Sequence, residues 1–160
     1  MAKKSGTKKP FQPKKWSMRP QLDAEVQGLL LETGVKCEFH PQDTYDGTVN
    51  TYDTNVMGSF SCRNPKCGVV GWDSKRIAIS IREFRNNKYN ARVYHQGCRQ
   101  CGWISKPKLD ASYAERIAYR IKFWHGISQA RPVYVDKKTG RPHKAELCEG
   151  CKAGHCVELR

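Results

Sequence analysis

Nowhere does the chain approach the run of about 18 apolar residues that a membrane-crossing helix needs, so no helical span is expected. The longest apolar stretch near the start, Gly28-Leu29-Leu30-Leu31, is too short for the core of a secretory signal. The first 20 residues contain no Asp or Glu. Their charges are mostly lysines set between Gly and Pro, without the amphipathic, Arg-rich pattern of a mitochondrial presequence. The expected compartment is therefore cytoplasmic or nuclear, where thiols stay reduced. Apolar residues are also scarce. They make up 38% of the 160 residues, and the mean hydropathy is −0.75. So thin a core points to some further source of stability. No His-x-Glu occurs anywhere, and no paired acids, nucleophile–base pair or Gly-rich phosphate loop stands out. Catalysis is not expected.

Positive charge, by contrast, is abundant. The formal net charge is +14. Half of it sits at the start, on Lys3, Lys4, Lys8, Lys9, Lys14, Lys15 and Arg19. The surplus favours a polyanionic partner: nucleic acid, an acidic protein or an acidic surface. Phe11 and Trp16 punctuate these lysines, as in an arm that stacks on single-stranded bases.

Three regions are expected: a disordered basic tail over 1–18, a helix and linker over 19–55, and the main domain over 56–160. From Gln21 to Thr33, Leu22, Val26, Leu29 and Leu30 fall on one helical stripe that Gly34 ends. Residues 41–56, rich in Asp, Thr, Asn and Gly, read as a loop. Arg76 to Arg82 alternates, with Ile77, Ile79 and Ile81 on one face and Arg76, Ser80 and Arg82 on the other. Asn86-Asn87-Lys88 predicts a turn, and Tyr89 to Gln96 a returning strand. The hairpin is expected to carry one basic or polar face. A second helix follows, with Tyr113, Ile117, Ile121 and Trp124 at helical spacing, a capping box from Ser112 and Glu115, and Gly126 as its stop. Residues 127–147 read as loop.

The eight cysteines carry the chemistry. Three close groups occur: Cys62-x4-Cys67-Gly68, Cys98-x2-Cys101-Gly102 and Cys148-x2-Cys151 followed by Cys156. A tight turn between two cysteines points both sulfurs at one ion, and two such turns complete a tetrahedron. Gly68 and Gly102 allow positive φ after the second cysteine, so that backbone N–H groups can face the thiolates. Cys62, Cys67, Cys98 and Cys101 are assigned to one closed Zn²⁺ site at strand ends. His143, Cys148, Cys151 and Cys156 supply a second four-donor set. His155 is a rival to His143, but it adjoins Cys156 and adjacent residues seldom reach one ion together, so His143 is preferred; ligand exchange between the sets stays open. Two structural Zn²⁺ ions are the expected cofactors. Disulfides do not suit a reducing compartment. A redox Cys-x-x-Cys lacks its βαβ context, and a zinc deaminase would need the missing His-x-Glu. Cys37 has no close partner and reads as a buried thiol. His40, His95 and His125 read as structural or surface groups.

These motifs resemble the 3CxxC-type zinc-finger family, most closely its fungal members. The landmarks are Gly58-Ser59-Phe60-Ser61-Cys62, Trp72-Asp73-Ser74, Val93 to Cys101, the Tyr113–Trp124 helix, and His143, Cys148-Glu149-Gly150-Cys151 and Cys156. The first pair is Cys-x4-Cys where the family usually has Cys-x2-Cys. The receptor-transporting and zygote arrest proteins of animals are relatives within that family. The resemblance implies a small α+β fold: a zinc-ribbon-like antiparallel β-sheet with a packed helix, here behind the disordered basic tail. The zygote arrest branch implies RNA binding. The receptor-transporting branch implies a protein-interaction or chaperone module, but its membrane segment has no counterpart here.

The expected function is a non-catalytic zinc protein that binds nucleic acid, RNA before DNA. Lys3, Lys4, Lys8, Lys9, Lys14, Lys15, Arg76, Arg82 and Arg92 are the expected contacts, with Arg116 and Arg120 as further basic positions. Trp72 and Trp103 are either core or stacking sites. An acidic protein partner is the alternative.

Overall fold

The computed structural model describes residues 13–130 and 143–157. The expected contacts Lys3, Lys4, Lys8 and Lys9, the aromatic Phe11 and most of the expected tail lie outside them.

One antiparallel sheet organises the molecule. Its centre is a long hairpin of β3 (Thr48–Ser61) and β4 (Gly71–Phe84), extended by β5 (Lys88–Tyr94). The turn into β5 places Asn86 and Asn87 at φ 67° and 56°, a left-handed conformation that asparagine tolerates better than most residues. The outer edge of β5 is shared. Strand β1 (Trp16–Ser17) pairs antiparallel with Tyr94 and Val93, and β2 (Glu38–Phe39) pairs parallel with Lys88 and Tyr89. A separate two-stranded ribbon joins β6 (Gln96–Gly97) to β7 (Ile104–Ser105), and β8 (Lys108–Leu109) pairs with Gly58 and Ser59 of β3.

The strand alternation decides what covers each face. Ile77, Ile79 and Ile81 of β4, Tyr89, Ala91 and Val93 of β5, and Val56 of β3 point to one side. Helices α1 (Asp23–Leu31) and α2 (Ser112–Trp124) pack there through Val26, Leu30, Tyr113, Ile117 and Ile121, all fully buried. The other side carries Ala78, Ser80, Arg82, Asn90, Arg92 and Tyr94. Its cover is the segment from His40 to Tyr45 together with the short C-terminal helix α3 (Glu149–Lys152).

Several expectations are corrected. Trp16 and Ser17 are not tail: His95 holds the backbone there, its N–H donating to the Lys15 carbonyl. Residues 48–56 are strand, because pairing with β4 outweighs their loop-like composition. A domain boundary at 55/56 would cut β3 in half. Ser112 does not cap its own helix. Its hydroxyl accepts the Met57 N–H from β3, while the Asp110 carboxylate accepts the Ser112 N–H. Gly126 does end α2, at φ 74°.

The basic face of the hairpin is not a surface. Arg82 is 0% exposed and its guanidinium is shared between Asn90 (2.7 Å) and Asp43 (2.8 Å). Arg92 also binds Asp43, at 2.9 Å, and lies between the Trp16 and Tyr45 rings, 4.4 and 5.4 Å from their centroids. Burial works to raise the Asp43 carboxyl, but hydrogen bonds from both arginines hold it below its ordinary value. Arg82 is spent on closing the fold and is not placed to reach a phosphate, while Arg92, half-buried, is held by the same carboxylate.

Candidate metal centres

The first centre forms where two turns meet. The β3–β4 hairpin ends at the Ser61–Gly71 pair, and the loop beyond it carries Cys62 and Cys67. The β6–β7 ribbon ends in a second loop with Cys98 and Cys101. Both loops are tight for local reasons. The Cys67 N–H donates to the Asn64 carbonyl, Cys98 N–H to Trp103, and Gly102 N–H to Cys98. Gly102 takes φ 75°. Gly68 does not adopt positive φ, because the wider Cys-x4-Cys loop turns without it.

The four sulfurs converge. Cys62 and Cys101 Sγ are 3.5 Å apart, and Cys67 and Cys98 Sγ are 3.9 Å apart. A tetrahedron of zinc–sulfur bonds near 2.3 Å has edges of about 3.8 Å. The backbone N–H of Trp103 brings the Cys101 thiol down to about 6. Desolvation and the neighbouring thiols push Cys62 up to about 12. Such a split is what four crowded thiols produce when one ionises first, and a divalent cation removes the conflict.

The second centre is built from the chain's last turns. Its helix α3 is N-capped by a ligand: Cys148 Sγ accepts the Cys151 N–H. The His143 Nε2 stands 3.2 Å from Cys151 Sγ and 3.6 Å from Cys156 Sγ. The Cys148 thiol is held down to about 4, first by its hydrogen bond with Cys156, then by His143 and the Cys151 N–H. Within each set all four donor atoms lie within 4.8 Å of one another. The donors are soft sulfur with one imidazole, closed and four in number, and they fit two structural Zn²⁺ ions. Bound there, zinc would cross-link the loops electrostatically. Holding it is the work of the eight side chains already in place.

His155 is excluded by position. Its Nδ1 bonds Asp53 at 3.1 Å and its ring stacks near Tyr45 and Tyr94. The two sets do not exchange ligands. Cys37 is buried apart from both, and burial pushes its thiol up to about 12.

The second centre is seated directly on the sheet. Cys148, Cys151 and Cys156 form a buried cluster with Ala78 and Tyr94. The Glu149 N–H donates to the His95 carbonyl, and Gln96 bridges to Cys148. Gly150 rests so close that a Cβ there would meet Ala78 Cβ at 2.4 Å. Periodicity did not announce α3, since four residues are too few to show any.

Around the first centre the structure gathers cations that the sequence pattern left scattered. The segments 62–76 and 98–108 carry Arg63, Lys66, Lys75, Arg76, Arg99, Lys106 and Lys108, against Asp73 alone. Arg63, Lys66, Lys75, Lys106 and Lys108 are exposed, while Arg76 and Arg99 are half-buried. Trp72 is stacked on Phe60 with ring centroids 4.9 Å apart, and Trp103 is half-buried. On α2, Arg116 is buried and Arg120 lies 3.4 Å over the Tyr52 ring. Among the described residues no helix is long and apolar enough to cross a membrane.

A family model described as a zinc-binding domain, of the 3CxxC zinc-ribbon type, matches residues 55–154. The match takes in seven of the eight donors and stops two residues short of Cys156, which the geometry adds. Neither the curated proteins nor the solved structures contain a match to this chain.

Proposed function

The chain belongs to the 3CxxC zinc-ribbon family, and on that footing we propose that it is a non-catalytic module that binds nucleic acid, single-stranded RNA before DNA. One observation carries the reading: the basic lobe around the first centre, seven cations to one acid on the two cysteine loops and the strand segments that adjoin them. The first cysteine loop presents Arg63 and Lys66, and the start of β4 presents Lys75, at one end of the sheet, where phosphates can be met without disturbing the core. Trp72 and Trp103 lie in the same lobe and offer half-buried ring faces for stacking. Each metal set has its full four donors, which leaves no open position for a reacting water. Lys14 and Lys15 enter the described region beside this lobe, continuing the lysine-rich start of the sequence.

Filter binding of a 12-nucleotide single-stranded RNA and its DNA equivalent, across a salt series, tests the reading. Affinity should fall steeply with salt. Reversing two charges, Arg63→Glu with Lys66→Glu, should weaken binding by about tenfold or more and flatten the slope. Salt-independent or absent binding by the zinc-loaded full chain overturns it. Capture of one defined acidic protein that survives nuclease treatment would favour the interaction-module reading instead.

A further inference from the structure

Among the described residues the least satisfied buried charge is Arg19. Its side chain is 3% exposed and makes a single hydrogen bond, from Nη1 to the Pro107 carbonyl at 2.8 Å. Nε and Nη2 are buried with no partner. No carboxylate pairs with it among the described residues. A buried guanidinium in that state is destabilising unless an anion meets it.

Its surroundings are cationic. Lys106 immediately precedes the Pro107 that holds Arg19. Lys14 is brought in from the other side, because its carbonyl is bound by His95 Nδ1 while His95 Nε2 binds Ser17. The Tyr113 hydroxyl and Ser105 Oγ are also buried without partners. The charges act on one another. Partial burial, then Arg19 and Lys14, hold the Lys106 ammonium below its ordinary value. Burial, then Arg19, Lys106 and Lys14, bring His95 down to about 4, so the imidazole is neutral at pH 7, its Nδ1–H donating to the Lys14 carbonyl and its Nε2 accepting from the Ser17 hydroxyl.

We infer that Lys14, Arg19 and Lys106 form a binding site for a phosphate group, with the two exposed lysines at its mouth and the arginine behind them. Three neighbouring cations, one a planar fork with unused donors, suit a multiply charged tetrahedral anion better than a single carboxylate. The phosphate can belong to a nucleic-acid backbone, in which case the site extends the proposed function, or to a free phosphate compound.

The zinc-loaded full chain is titrated with inorganic phosphate, and with chloride at matched ionic strength, following thermal unfolding. Phosphate should raise the midpoint beyond the chloride effect. Lys106→Gln and Lys14→Gln, both at exposed positions, should each weaken the response by about tenfold. Arg19→Met should abolish it while leaving stability without phosphate equal to wild type or higher, since a buried unpaired charge is removed. A wild type that responds to phosphate no more than to chloride, or a Lys106→Gln protein that responds like wild type, overturns the site. The same variants are then assayed with the 12-nucleotide RNA. Parallel losses identify a backbone phosphate. Unchanged RNA binding, or none by the wild type, with phosphate binding lost only in the variants identifies a free phosphate and leaves this site standing apart from the nucleic-acid reading.

Discussion

The two metal centres share a chemistry and differ in what surrounds them. The first is held by loops beyond the ends of two hairpins, with Cys101 exposed and Cys62 and Cys67 half-buried. The second lies on the sheet, with Cys148, Cys151 and Cys156 all buried against Ala78 and Tyr94. One centre staples two loops at the margin of the apolar core, with Cys98 its one buried donor. The other serves as the second hydrophobic layer for a sheet face that has almost no apolar side chains of its own. The difference teaches that four sulfur or nitrogen donors can substitute for either a turn contact or a missing half of a core.

The largest expected effect is at the buried centre. Cys148→Ser or Cys151→Ser should leave no cooperatively folding protein, since structural zinc contributes on the order of 10–16 kcal/mol in small zinc-finger peptides and exceeds the usual margin of a domain. Circular dichroism melts check this, and a sharp melt in either variant would erase the contrast. Cys101→Ser should be milder: one zinc per chain by metal analysis, with the β3–β4–β5 sheet still melting cooperatively. Chelator competition sharpens the same point in wild type. Zinc should leave in two phases, the faster one abolished in Cys101→Ser. A single phase would mean the centres are not separable.

Gly150→Ala comes next. Its new Cβ would meet Ala78 Cβ at 2.4 Å and crowd Tyr94. Overpacking of that kind costs about 1–3 kcal/mol, readable as a lower denaturation midpoint at unchanged zinc content. The smallest effect concerns His95, whose carbonyl receives the Glu149 N–H and so helps seat the second centre. Its folded pKa is depressed to about 4. The unfolded chain therefore binds the proton first, and stability present above about pH 6.5 declines as the pH falls toward 4. Between pH 7 and 6, the range to be measured, the loss is about 0.7 kcal/mol. His95→Gln should flatten that portion of the stability profile relative to wild type, with zinc content followed in parallel.

Much of this was legible in the sequence where a local rule applied. The Ile77–Ile79–Ile81 alternation, the Asn86-Asn87 turn and the Tyr113–Ile117–Ile121 stripe each declare themselves within a few residues. Cysteine spacing identified both donor sets, and the preference for His143 over its rival rested on the awkwardness of adjacent ligands. What stayed hidden depends on partners distant in the chain. Strand β3 looks like loop until β4 is laid beside it. Arg82 and Arg92 look like surface cations until Asp43, 39 and 49 residues earlier, arrives to bind both. Arg19 looked like the end of a basic tail, and only the crossing of the Lys106–Pro107 segment reveals it as a buried charge.

The ligands are also ordered without interleaving: the first centre takes its last donor at Cys101, and the second takes its first at His143. During synthesis the earlier set can therefore capture its ion while the later one is still inside the ribosome. Until the closing cysteines emerge, the Ala78–Tyr94 surface waits uncovered, and the nascent chain has one finished joint and one open seam.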